Sequence, residues 1–341
     1  MAITTTDWRT SIRANNRKTF IVISIFFLIY FFLGLLIDVF VYAEQYPQAN
    51  LRDIFYALMT LQLFPLVTLI MSSIAAISLF ITLTLNNKLM LLGTEYKEIT
   101  PSTAMSLGEK QLYNIIEELK IAAGLRYMPR VYIIQANYMN AFASGFSEKS
   151  AMVAITSGLL QKLNRSELQA VMAHEISHIR HMDIKLTLIA SLLANLIIIV
   201  LDFFFRGVLY SKNSSNKRSG GLIIIIVVLR FLLPLINILL LLYLSRTREY
   251  MADAGSVELL RDNQPLASAL IKINKDYSDN KDAYAQTMVK TPNENVRREA
   301  YIFDPVRAGA VPSSSVTDFF STHPSLEKRL HALGFKYHDP K

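Results

Sequence analysis

Apolar and polar positions divide the 341-residue chain into alternating membrane-like and globular stretches. A basic N-terminus with Arg9, Arg13, Arg17 and Lys18 leads into an uncharged apolar run, Phe20 to Ile37, long enough to cross a bilayer. With no small-residue cleavage site after it, the run reads as a retained anchor. A second uncharged stretch, Ile54 to Asn87, is interrupted by Pro65 and has the length of a kinked or tilted span. Basic residues ahead of the first run, and Asp38, Glu44 and Asp53 between the two, place both ends of this hairpin in the cytoplasm.

A second apolar hairpin is expected from Leu186 to Leu201 and Leu222 to Leu244, either spanning or dipping into the bilayer. Its loop carries Arg206, Lys212, Lys217 and Arg218 without an acid, and Arg230 lies inside its last segment. Pairing with Asp202 or snorkelling to the interface would relieve that charge.

Between Lys88 and Asp183 the pattern turns globular. Leu112, Ile115, Ile116 and Leu119 mark the stripe of a helix over Gly108 to Ala123. Strands follow at Val131 to Gln135 and Ala151 to Thr156, with the small residues of Asn140 to Gly145 between them. The pair offers an edge to an extended peptide or forms an ordinary small sheet. A further helix opens with Ser166 as its N-cap. Towards the end, Asp262 to Asp318 is rich in Asn, Asp, Ser and Pro and reads as an irregular insertion.

With 52% hydrophobic residues the chain is too apolar for an ordinary soluble protein. Its net charge of +8 sits largely beside the apolar runs, and no recognition motif accompanies it, so nucleic acid is not an expected partner. Having no cysteine, the chain can hold a metal only through histidine and carboxylate ligands.

Chemistry concentrates at His174-Glu-Ile-Ser-His178. On a helix, residues four apart share a face, so His174 and His178 can bind one zinc ion while Glu175 reaches a water beside it as general base. The motif needs a third ligand. Just past the last apolar run, Glu249 and Asp253 also stand four apart. Glu249 is the candidate ligand, and Asp253 can accept the outer N–H of a ligating imidazole. His181 shares the histidine stripe but lies too far along a helix, at 1.5 Å per residue, to close a tetrahedral shell with the other two.

Asn140 to Gly145, the stretch Leu168 to Asp183, Arg246 to Asp253 and Ser321 to Arg329 together resemble the HtpX-type membrane metallopeptidases, relatives of the CAAX prenyl endopeptidases. The resemblance implies a mainly α integral membrane protein with four apolar helices and a cytosolic zincin-like α+β metallopeptidase domain. Residues 1–19 would form a cytosolic N-terminus and 20–85 the first hairpin. Residues 86–184 and 245–341 would be two parts of the peptidase domain, separated by the second hairpin at 185–244.

It further implies one Zn2+ per chain, a bacterial inner (plasma) membrane location with the site facing the cytosol, and unfolded or membrane protein substrates. Ligand roles fall on His174, His178 and Glu249, the base role on Glu175, and the supporting role on Asp253. Asn140, Ala141, Phe142, Ala143, Ser144 and Gly145 match the segment that lines the substrate cleft. His323 or Arg329 would donate to the oxyanion, unless His323 and Pro324 only cap the helix that follows. A narrow processing peptidase and a catalytically silent zinc-binding scaffold are the rival expectations.

Overall fold

The computed structural model describes residues 8–183, 228, 232, 248–290, 297, 300–304 and 323–336. They fall into two compact units: residues 18–84 belong to one, and 85–183 with 248–290 and 323–336 to the other.

Helix α1 runs Trp8–Gln45, in the first unit from residue 18 onward, and its stretch Asn16–Gln45 is the one described helix long and apolar enough to cross a membrane. The expected second span is cut in two: α2 covers Leu51–Met59 and α3 Leu66–Leu91, of which Leu66–Ile81 forms a shorter apolar helix. Pro65, which has no N–H to give a preceding turn, stands at the break. Buried Asp38 pins α3 to α1 by accepting from the Val67 amide at 3.0 Å, the Thr68 amide at 2.8 Å and the Thr68 hydroxyl at 2.7 Å. These amides open a helix and have no partner within it, so a carboxylate there acts as an N-terminal cap. Gly34 permits the approach, since a Cβ at that position would meet Thr68 Cα at 2.5 Å. The other two expected apolar helices lie outside the described residues, apart from Val228 and Leu232, as do Asp202 and Arg230.

The second unit is built on a four-stranded sheet in the order β1-β2-β4-β3. Its strands are β1 Tyr96–Ile99, β2 Arg130–Ile134, β3 Ala141–Ser144 and β4 Met152–Thr156. β2 and β4 pair in parallel, while β1 and β3 join their outer sides antiparallel. Two of these strands were not expected, because each has only four residues and neither alternates cleanly: β3 is buried throughout and β1 mostly open.

Helix α4, Leu107–Ala123, opens on the Ser106–Glu109 capping box and buries the anticipated stripe. After the short α5, Ser157–Lys162, comes α6, Arg165–His181, which packs on α4, β3 and β4. Its N-cap is Asn164 rather than Ser166: the Asn164 side chain accepts from the Glu167 amide at 2.9 Å, and Glu167 accepts from the Asn164 amide at 3.0 Å. Ser166 Oγ instead donates to Asn164 Oδ1.

The stretch read as an irregular insertion is largely helical where it is described. Helix α7, at residues 248–260, precedes that stretch, within which lie α8, Gln264–Asp279, and α9, Lys281–Lys290. Leu266, Ala267, Leu270, Ile273 and Tyr277 form the buried face of α8, while Asn274 and Asp276 are half-buried, Asp276 pairing with Lys162, and Asp279 is exposed. Lys272 and Ser268 of α8 reach Glu167 at 2.8 and 2.5 Å and tie that helix to the first turn of α6. A last helix, α10, spans Leu326–Ala332.

Candidate metal centre

Nearly every residue of α6 from Glu167 to His181 is buried, which sets the histidines in a rigid wall. Their one-turn spacing brings His174 Nε2 and His178 Nε2 to 3.2 Å, with the rings edge to face. Glu249 enters from α7, placing Oε2 3.6 Å from His174 Nε2 and Oε1 3.7 Å from His178 Nε2. Donor atoms of His174, His178 and Glu249 all lie within 4.8 Å of one another. His181, though buried, is not part of this group.

Helices α6 and α7 reach this proximity through small residues. A Cβ on Gly255 would fall 1.7 Å from Ser177 Oγ and 2.9 Å from Ser177 Cβ, so only glycine lets the two helices close. Ser256 Oγ donates to the Ala170 carbonyl at 2.8 Å and fixes their register.

Each imidazole is backed by a carboxylate. His174 Nδ1 stands 2.9 Å from Asp253 Oδ1, off the line of a straight hydrogen bond, and His178 Nδ1 stands 3.0 Å from Asp183 Oδ1. Asp183 was not anticipated as a partner. It comes within reach because Met182 ends α6 in the left-handed conformation at φ 54°, folding the next residue back on His178. A carboxylate five residues past the second histidine was the available signal, but its direction depends on that turn.

Arg329 is buried beside the centre and joins α10 to α7. Its Nε and Nη2 hold Asp253 at 2.9 and 2.6 Å, and its Nη1 donates to the Ile302 carbonyl at 2.6 Å. Through these bonds Arg329 supports Asp253, the carboxylate beside His174. His323 Nε2 lies 3.9 Å from Glu249 Oε1, and the cap of α10 is Ser325, which accepts from the Lys328 amide.

The donor set fits a cation. When both Nδ1 atoms face carboxylates they carry the ring protons, leaving two Nε2 lone pairs opposed at 3.2 Å beside a third acceptor, Glu249 Oε2, that has no hydrogen-bond partner among the described residues. A cation or an added proton resolves that repulsion. Accordingly, although burial works against charge on His174, Asp253 and Glu249 outweigh it and push the imidazole pKa up to about 9. Burial likewise opposes ionisation of Glu249, yet His323 and His174 hold its carboxyl well below the usual range. Glu175 goes the other way. Its carboxyl is raised by desolvation, against which the histidines and the Ala143 amide work in the other direction.

The Asn140 to Gly145 segment contributes in two ways. Asn140 Nδ2 donates to Tyr277 Oη at 3.1 Å and to the Phe303 carbonyl at 3.0 Å, a purely internal role in this structure. Ala141 to Ser144 form β3 at the sheet edge, which packs on α6. Along that edge Phe142 bridges Tyr301, and the Ala141 carbonyl accepts from the Ile302 amide at 2.9 Å.

Residues 106–335, holding the sheet's inner strands and every group described above, match the family model of Peptidase family M48. The chain belongs to peptidase family M48. Members of that family are metal-dependent peptidases, in keeping with the cluster on α6 and α7. This M48 chain is 38% identical over 331 residues to a protein of Helicobacter pylori (strain J99 / ATCC 700824) named Protease HtpX homolog, covering 96% of this chain and 98% of that one. A protein of the same name from Dictyoglomus turgidum is 39% identical over 222 residues, 65% of this chain and 68% of its own. The crystal structure of S. mikatae Ste24p aligns with a TM-score of 0.42 and 17% identity over 88% of this chain and 62% of that one, too loose a likeness to bear on the site.

Proposed function

We propose that this M48 chain is a zinc-dependent endopeptidase of the bacterial inner membrane, its site facing the cytosol, that hydrolyses misfolded or damaged membrane proteins. The observation that carries the reading is the convergence of His174, His178 and Glu249 from two separate segments beside a buried Glu175. Relatives named Protease HtpX homolog support it, as does the apolar helix Asn16–Gln45.

Only nitrogen and oxygen ligands are available, and two imidazoles with one carboxylate suit zinc. Bound there, the ion would supply Lewis-acid polarisation and ready ionisation of water. Glu175 takes the proton of the attacking water and returns it to the leaving amine, and its desolvated carboxylate is correspondingly basic. His323, beside Glu249, is placed to donate an N–H to the developing oxyanion. Since Tyr301 and Ile302 occupy the edge of β3 at residues 141 and 142, Ala143 is the position left beside Glu175 for a substrate strand. Beyond the substrate, the bilayer is the partner of the apolar helices.

The deciding experiment compares zinc content and casein cleavage of detergent-purified protein with its Glu175→Gln variant. The variant is expected to keep stoichiometric zinc and lose cleavage. Cleavage at the wild-type rate would reject the base.

A further inference from the structure

Arg248 is an arginine buried to 7% exposure beside a ligand. Its Nη2 lies 3.4 Å from Glu249 Oε1, while its Nε and Nη1 have no hydrogen-bond partner among the described residues. Leaving such donors dry costs about 1–3 kcal/mol each, so core packing alone gives no reason for a guanidinium here.

Its surroundings supply a reason. Four carboxylates line the centre, Glu175, Asp183, Glu249 and Asp253, and all are buried. Among the described residues two guanidinium groups stand against them, Arg329 and Arg248, so carboxylates outnumber guanidinium groups at the centre. The two arginines take opposite sides. Arg329 grips the carboxylate behind His174, whereas Arg248 lies against Glu249, and its field also reaches Asp183 behind His178.

Building on the metal reading above, we infer that Arg248 is a positioning residue for the metal ligands, doing for Glu249 and the His178–Asp183 pair what Arg329 does for His174–Asp253. Its guanidinium, 3.4 Å from Glu249 Oε1, fixes the direction of the Glu249 carboxylate and adds a positive field at Asp183. Metal affinity therefore depends on a residue that touches neither the ion nor the substrate.

The test is zinc affinity of full-length protein in detergent, measured by competition with a chromophoric chelator for wild type, Arg248→Gln and Arg248→Lys. Arg248→Gln is expected to bind zinc about 10- to 100-fold more weakly, the range for groups that orient metal ligands. Arg248→Lys keeps the charge without the planar fork and is expected to fall between the two, at least about threefold below wild type. Affinity within threefold of wild type in Arg248→Gln overturns the inference. Should that variant fail to fold, the same result in Arg248→Lys does so. A wild type with no stoichiometric zinc rejects the underlying metal reading, and this inference with it.

Discussion

Arg329 grips Asp253 with two nitrogens, at 2.9 and 2.6 Å, and both side chains are buried. Removing one member of such a pair leaves the other as an uncompensated buried charge, at a cost of about 3–5 kcal/mol. Arg329→Met should therefore lower the thermal midpoint sharply, and Arg329→Lys should recover only part, because an ammonium cannot span both oxygens. Asp253→Asn, which weakens the support of His174, should reduce zinc affinity about 10- to 100-fold. Thermal melts and chelator competition measure the two effects separately.

Closure of α6 on α7 makes a second prediction. In Gly255→Ala the new methyl would overlap Ser177 Oγ at 1.7 Å, and even Ser177 Cβ at 2.9 Å is too near, so the helices must part. Overpacking of this kind costs about 1–3 kcal/mol, and here the shift also carries Glu249 away from the histidines. The variant should lose bound zinc as well as stability. Adding Ser177→Ala removes the worse clash and leaves the lesser one, so it should restore metal content only in part, as read by atomic absorption on purified protein.

The helical spacings were legible in the sequence because they are local: residues four apart share a face wherever the helix lies, which made His174 with His178 and Glu249 with Asp253 readable as pairs. What each pair meets depends on the fold. Asp183 reaches His178 only through the left-handed turn at Met182, and Arg329 finds Asp253 across 76 residues. Composition misled at 264–290, where Asn and Asp that usually mark loops flank the buried apolar stripe of α8, Asp276 held by Lys162 and Tyr284. Strands β1 and β3 are too short to show a period, and the burial of β3 on both sides comes from α6 and the 301–302 segment.

Titration of His174 links metal, proton and stability. In the folded, metal-free protein its pKa is pushed up to about 9 from the ordinary 6.5, so the apo site holds this proton at pH 7. A raised pKa contributes stability that is fully present below about 6.5 and lost as pH rises through about 9. Metal-free protein should therefore melt at progressively lower temperature across that window. Because zinc must displace the proton, binding at pH 7 should release about one proton per chain from this site, a release that disappears above pH 9. Calorimetric titration of apoprotein in buffers of differing ionisation enthalpy measures that number directly.

Asp38 bears on the first hairpin alone. Its carboxylate satisfies two amides and a hydroxyl, and Asp38→Ala leaves them unpaired, at about 1–3 kcal/mol for each group that water cannot reach. Asp38→Asn keeps one acceptor oxygen and should lose less. Limited proteolysis across residues 60–65 in detergent should rank wild type, Asn and Ala in that order of resistance.

His323 separates catalysis from metal holding. It stands 3.9 Å from Glu249 yet outside the trio whose donor atoms converge, so it can serve the reaction without being needed to retain the ion. If its N–H meets the oxyanion, His323→Phe should lower kcat by about 10²–10³, the usual loss for one such donor, with KM little changed. Zinc content should stay stoichiometric in the same preparation. Were His323 only a prop for Glu249, metal would be lost along with activity, and a variant purified at full zinc occupancy would cleave as fast as wild type. Steady-state cleavage of a fluorogenic peptide, normalised to bound zinc, distinguishes the two.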